Sequence, residues 1–278
     1  MIHLALAIQT PEVPKIVPVA LLQGNFGEKL QKAAEMGYDG VEIISTNPAE
    51  LDQKELKAQL QSFGLQVSAV ASGGMGFAAG LTLLNPDAEI AALAYQRFLA
   101  LIDFAHFLEA KVVTIGTFRG RAIGDKATSL HKLAEILRSA CEVAATKGVR
   151  LALEPLNRFE GDLLHTVEET LAFIEQVGHP SLGLLIDSFH VNIEEASYTQ
   201  PYQKALTAGR LFYAHLGDNN RRPPGQGLID FKAILTTLCQ GGYQGWLSAE
   251  LLPLPDPDQA ARLTIEYIRP LLGSLLCN

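Results

Sequence analysis

Short apolar runs alternate with longer amphipathic stretches along the whole chain. The β-prone runs are Ile2–Ile8, Gly40–Ile44, Leu65–Ala71, Val112–Gly116, Arg150–Glu154, Leu182–Asp187, Phe212–Leu216 and Trp246–Glu250. Most are apolar at consecutive positions, as in Leu182-Gly-Leu-Leu-Ile and Val112-Val-Thr-Ile-Gly. That pattern suits strands buried on both faces, as in a parallel sheet covered by helices. Each gap between runs is long enough for a helix and two loops.

The stretches between the runs carry helix punctuation. Asn85 before Pro86 predicts a cap and a first-turn proline opening a long helix that reaches toward Lys111. Thr166 with Glu169 is a capping-box pattern, and Gly178 marks the stop of that helix. Asp256-Pro257 opens the last helix, and Pro270 is expected to disrupt its end. Gly37, Gly64 and Gly148 each stand just before a strand, as αβ loops require. Ala58–Pro86 carries no charge, but its glutamines and glycines argue against a membrane span. It reads as a helix end, a strand and a glycine-rich loop at Ser72-Gly-Gly-Met-Gly.

Eight strands alternating with about eight helices give a closed (β/α)8 barrel or a large doubly wound sheet. The nucleotide-binding version of the latter needs G-x-G-x-x-G after the first strand, where this chain reads Gln9-Thr-Pro-Glu-Val-Pro-Lys. No linker or compositional break appears, so residues 1–278 are expected to form one TIM-barrel domain.

In a barrel, function lies at the C-terminal ends of the strands. The last four strands each bring a metal-ligand type to that end: Glu154, Asp187, His215 and Glu250. One strand-end carboxylate is more often a cap or an ion-pair partner. Four such residues on consecutive strands converge on one mouth when the barrel closes. Three carboxylates and an imidazole form an oxygen-rich set, which suits manganese, magnesium or cobalt better than a thiolate-rich zinc site. Manganese is the expected ion and zinc is disfavoured. Asn157, Arg158, Glu160, His190, Asn220, Arg221 and Arg222 follow these ends and could bind a polyhydroxylated ligand. Arg119 and Arg121, after the fourth strand, are candidates to reach the same mouth.

Net charge and cysteines narrow the setting. The formal charge is −8, with 48% apolar residues, so neither disorder nor general phosphate-backbone binding is expected. The three cysteines are too few and too scattered for a disulfide framework. The N-terminus has no basic segment before its short apolar run. The expectation is a cytoplasmic protein with no membrane or nucleic-acid partner. His106, His131, His165 and His179 read as surface or capping groups, His3 as a residue of the barrel floor and Trp246 as packing.

The segments EPLNRFE (154–160), DSFHVNIEE (187–195), HLGDNNRRPPGQGLID (215–230) and SAEL (248–251) resemble the sugar isomerase/epimerase family with the xylose isomerase-like barrel. They are most similar to its ketose 3-epimerase branch, the D-tagatose and D-psicose 3-epimerases. The resemblance implies Glu154, Asp187, His215 and Glu250 as metal ligands, with Glu154 and Glu250 also the acid/base pair. It implies Glu160, His190 and Arg221 as sugar contacts, and a homodimer or homotetramer. The expected reaction is epimerisation of a ketose by proton removal and return through an enediolate. Hydroxypyruvate isomerase, aldose–ketose isomerase and inosose dehydratase chemistries share this site. AP endonucleases of the same barrel carry extra histidines after the third and fourth strands, where this chain has Ala71-Ser-Gly-Gly-Met-Gly-Phe and Gly116-Thr-Phe-Arg-Gly-Arg-Ala. A sugar-binding protein without turnover is the non-enzymatic alternative.

Overall fold

The computed structural model describes residues 1–275. Eight parallel strands close into a barrel in chain order. They are β1 (His3–Gln9), β2 (Gly40–Ile44), β3 (Gln66–Ala71), β4 (Val112–Ile115), β5 (Arg150–Leu153), β6 (Leu182–Asp187), β7 (Leu211–Leu216) and β8 (Trp246–Ala249). Around them lie α1 (Phe26–Met36), α2 (Gln53–Ser62), α3 (Gly73–Ala79), α4 (Ala88–Phe107) and α5 (Lys126–Thr146). The second half adds α6 (Val167–Val177), α7 (Ser188–Glu194), α8 (Gln200–Thr207), α9 (Phe231–Gln240) and α10 (Pro257–Ser274). Each strand lies within one residue of its expected limits.

The consecutive apolar runs serve two faces. Leu4, Leu6 and Ile8 of β1 and Val41 and Ile43 of β2 share the main core with Leu30 and Ala33 of α1. Each such large aliphatic side chain, fully buried, contributes about 1.5–3 kcal/mol. Alternate positions enter smaller clusters: Ala7, Ile44 and Ala71 with Val13 and Val17 in one, Ala69, Ala152, Leu185 and Tyr213 in another. Trp246 packs on the second of these, and its ring lies 5.0 Å from that of His3.

Helix punctuation is partly as expected. Thr166 and Glu169 form the capping box of α6, and Gly178 ends that helix in the left-handed region. Asp256 caps α10. The cap of α4 is Asp87, not Asn85, because Asp87 Oδ1 takes the N–H groups of Glu89 and Ile90. Pro270 does not disrupt α10, which continues to Ser274. Leu271 and Leu272, just beyond the proline, are half-buried against the core. Ser72-Gly-Gly-Met-Gly is not a loop but the start of α3. The close fit explains the glycine there: a Cβ on Gly74 would lie 2.7 Å from Ile44 Cγ2. Cys141 is a buried free thiol. Cys277 lies outside the described residues.

Candidate metal and active site

Barrel closure converts four strand ends into one cluster. In the β6–β7 register Asp187 stands opposite His215. Glu154 extends β5 by donating its N–H to the Ile115 carbonyl at 2.9 Å. Glu250 extends β8 likewise, onto Leu216 at 3.3 Å. One ligand atom from each of Glu154, Asp187, His215 and Glu250 falls within 4.8 Å of the others. His215 Nδ1 lies 3.7 Å from Glu154 Oε1 and 3.4 Å from Glu250 Oε2. Room for the Glu154 carboxylate depends on Gly116, where a Cβ would lie 2.5 Å from Glu154 Oε2.

The donor set fits a divalent cation. Glu154 Oε1 and His215 Nδ1 are buried with no hydrogen-bond partner. Two such orphans facing one another in a cluster of three carboxylates cost free energy that a cation would recover. Burial pushes the Glu154 carboxyl up to about 7, reinforced by the Glu250 and Asp187 charges against the pull of His215. Burial likewise pushes Asp187 up to about 6, against the pull of Arg221. For Glu250, burial is outweighed by His215 and Arg221, which hold its carboxyl well below the usual range. For His215, burial is outweighed by the Glu42 and Glu250 charges, which raise it well above the ordinary imidazole value.

These shifts give a sign for metal binding. A ligand must be unprotonated to bind a cation. Glu154 and Asp187 hold protons higher in pH than free carboxylates, and His215 higher than a free imidazole, so protons compete with the ion. Divalent-cation affinity is expected to fall by on the order of tenfold per pH unit for each ligand that holds a proton, and so most steeply below 6, where Glu154, Asp187 and His215 all do. Calorimetric titration in two buffers of different ionisation heat would count the released protons. A flat affinity between pH 5.5 and 8 would contradict this.

The polar groups beyond the strand ends separate into two sets. Arg221 comes to the cluster: Nη1 donates to Asp187 Oδ2 at 3.1 Å and Nη2 to Glu250 Oε2 at 2.6 Å. Its guanidinium also lies 4.5 Å above the Phe189 ring. Its φ of 58° is the left-handed region, which a non-glycine residue adopts at a cost and which recurs at functional sites. His190 Nε2 lies 3.6 Å from Glu154 Oε1 and 3.9 Å from Asp187 Oδ2. Burial, then Arg221, lowers its affinity for a proton, so the imidazole is neutral near pH 7. Glu160 lines the cavity at its exposed edge.

Other candidates do not reach the cavity. Arg119 is fully buried behind it, donating to the carbonyls of Glu154, Leu163 and Leu164, so it braces the backbone of the strand-5 loop. Arg121 bonds the Glu160 carbonyl at 3.1 Å. Arg158 forms an ion pair with Glu194. His106, His131, His165 and His179 make their contacts away from the cavity, such as His165 Nδ1 with the Leu156 carbonyl and His106 Nδ1 with the Lys147 carbonyl.

One residue escaped the sequence reading. Glu42, in the middle of β2, is 1% exposed inside the barrel. Its Oε2 accepts from His215 Nε2 at 2.9 Å and from the Tyr213 hydroxyl at 3.3 Å. The signal was present as a lone carboxylate within the apolar run Gly40-Val-Glu-Ile-Ile, but no strand-end rule selects it. By holding Nε2, Glu42 leaves Nδ1 of His215 to face the cluster.

The cavity above the cluster measures about 320 Å³. On the side of the cluster its wall is Glu154, His190, His215, Arg221 and Glu250. The opposite wall is mostly apolar, with Val17, Val19, Ile44, Ala71 and Phe77.

The family model described as a xylose isomerase-like TIM barrel matches residues 30–271. The L-ribulose 3-epimerase of Mesorhizobium japonicum is 31% identical over 239 residues, covering 82% of this chain and 76% of that protein. The D-psicose 3-epimerase of Ruminiclostridium cellulolyticum is 31% identical over 232 residues, covering 80% and 77% respectively. Among solved structures, an L-ribulose 3-epimerase superposes with a TM-score of 0.81 at 27% identity, covering 97% of this chain and 94% of that one.

Proposed function

Because the chain belongs to the xylose isomerase-like TIM barrel family, we propose that it is a divalent-metal-dependent epimerase of a free ketose. The observation that carries this reading is the buried cluster with its orphaned Glu154 and His215 atoms. A divalent ion held by Glu154, Asp187, His215 and Glu250 would supply Lewis acidity, polarising a ketone and stabilising negative charge on its oxygens. Manganese suits this set, with magnesium or cobalt as alternatives.

The remaining chemistry belongs to the side chains. A proton on the carbon beside a ketone leaves only with a base placed against it. Glu154 and Glu250 come from β5 and β8, three strands apart around the ring, so they approach a bound sugar from different sides. One removes the proton and the other returns one to the opposite face, which inverts the centre. His190, Arg221 and Glu160 hold the sugar oxygens and restrict the substrate to reactive poses.

The lining also speaks to substrate class. Among the described residues, Arg221 is the only arginine or lysine that lines the cavity, and it is engaged by two carboxylates. A phosphate would find no free cation there, which favours an unphosphorylated sugar. The test is incubation of the manganese-loaded protein with L-ribulose, D-psicose and related free ketoses in deuterated water. The expected product is the C3 epimer carrying one solvent deuterium at the inverted carbon, with activity abolished by chelation and restored by manganese or cobalt. Aldose or dehydrated products would shift the reading to the isomerase or dehydratase alternatives. Full turnover by protein proven free of metal would reject it.

A further inference from the structure

Asn157 is 1% exposed and sits between Glu154 and Glu160. Its Oδ1 accepts the backbone N–H groups of Phe159 at 2.9 Å and Glu160 at 3.2 Å. Those two donors decide which end of the amide is oxygen. The Nδ2 end therefore faces His190 Nδ1 at 2.7 Å and Glu160 Oε1 at 3.0 Å. The backbone N–H of Asn157 also points at His190 Nδ1, at 3.5 Å. An amide NH2 has only hydrogens to offer, so a protonated Nδ1 would set donor against donor. The imidazole proton must then lie on Nε2, the atom nearest Glu154 and Asp187. His215 carries its proton on the same atom, donated to Glu42, but there it is Nδ1 that faces the cluster.

We propose that Asn157 is a positioning residue that holds His190 as the Nε2–H tautomer, making it a hydrogen-bond donor into the cavity, and that the same amide aims the Glu160 carboxylate. The catalytic consequence rests on the reading of His190 and Glu160 as sugar contacts given under the proposed function. The tautomer itself does not. A neutral imidazole presenting Nε2–H can donate to a ketose oxygen but cannot accept from a hydroxyl at that atom. Asn157 thus decides which sugar oxygens His190 tolerates.

Asn157→Asp is the informative variant. A carboxylate keeps accepting from the Phe159 and Glu160 N–H groups, so the turn survives, while the donor toward His190 becomes an acceptor. Two-bond proton–nitrogen correlation spectra of the magnesium-loaded, 15N-labelled protein read the tautomer directly, with His190→Gln assigning the signals. The expected result is a proton on Nε2 in the parent chain and on Nδ1 in Asn157→Asp. The kcat/KM for a free ketose should fall by on the order of 10²-fold, since small misplacements of positioning groups have effects of that size. Because the new carboxylate would repel Glu160, Asn157→Asp combined with Glu160→Gln removes that repulsion and should still show the proton on Nδ1. A parent chain protonated on Nδ1, or Nε2–H retained in both variants, would overturn the proposal. A swapped tautomer with unchanged turnover would support the role of Asn157 and remove His190 from the sugar contacts.

Discussion

Glu250→Gln and Glu154→Gln are each expected to lower ketose epimerisation by on the order of 10²–10⁴-fold, the usual contribution of one acid/base group. Glutamine keeps an oxygen that can ligate a cation, so the loss reports mainly the proton-transfer role. The two variants should differ in a telling way. With one carboxylate gone, the other can still remove the proton that faces it. Each variant should therefore exchange solvent deuterium into one epimer without inverting it, and the two should choose opposite epimers. Metal content measured alongside keeps ligand loss distinct from base loss. Unchanged epimerisation in both variants would end the two-carboxylate mechanism.

The second large effect is expected at Glu42, which touches neither the cavity nor the proposed ion. Its carboxylate holds His215 Nε2 at 2.9 Å and accepts from Tyr213, which also shares a 2.6 Å hydrogen bond with Ser68. A carboxylate behind a ligating histidine fixes the ring orientation and strengthens the ligand, and its loss typically costs 10–100-fold in metal affinity. Glu42→Gln keeps an acceptor for Nε2–H and removes the charge, so manganese affinity should fall about tenfold. Glu42→Leu leaves the imidazole and the Tyr213 hydroxyl without this acceptor. It should weaken the ion toward the 100-fold limit and destabilise the fold by about 1–3 kcal/mol. Manganese titration followed by electron paramagnetic resonance, with thermal unfolding of the metal-free chain, measures both. Parent-like affinity in both variants would show that Glu42 is only a buried polar filler.

These two cases mark what each level of description can reveal. Glu154, Asp187 and Glu250 were legible because each ends an apolar run, and a charge that ends a buried strand must be at a mouth. His215 was legible by register with them. Glu42 was not, because an apolar run containing one carboxylate does not say which face that position takes. Only the closed barrel, which puts β2 across the interior from β7, supplies His215 and Tyr213 as its partners. Arg119 failed in the other direction. It follows β4 as a mouth residue should, but the strand-5 loop folds over it, and its guanidinium serves three backbone carbonyls instead.

Local punctuation shows the same division. The capping box at Thr166 and Glu169 is complete within four residues, so sequence sufficed. The glycine-rich Ser72–Gly76 segment has poor intrinsic helix propensity and looked like a loop. Its helix forms because Gly74 can pack closely on Ile44 of a neighbouring strand, a contact invisible locally.

The sequence by itself therefore determined the alternation of strands and helices, the barrel class and the four strand-end groups that could meet a cation. Period, capping and charge placement are properties of neighbouring residues. The tertiary structure alone decided the support behind those groups: Glu42 on His215, Asn157 on His190, Arg221 across Asp187 and Glu250. Those pairings join positions 29 to 173 residues apart. Their hydrogen bonds exist only once the chain has closed into a ring, because no local periodicity encodes which interior groups will face one another.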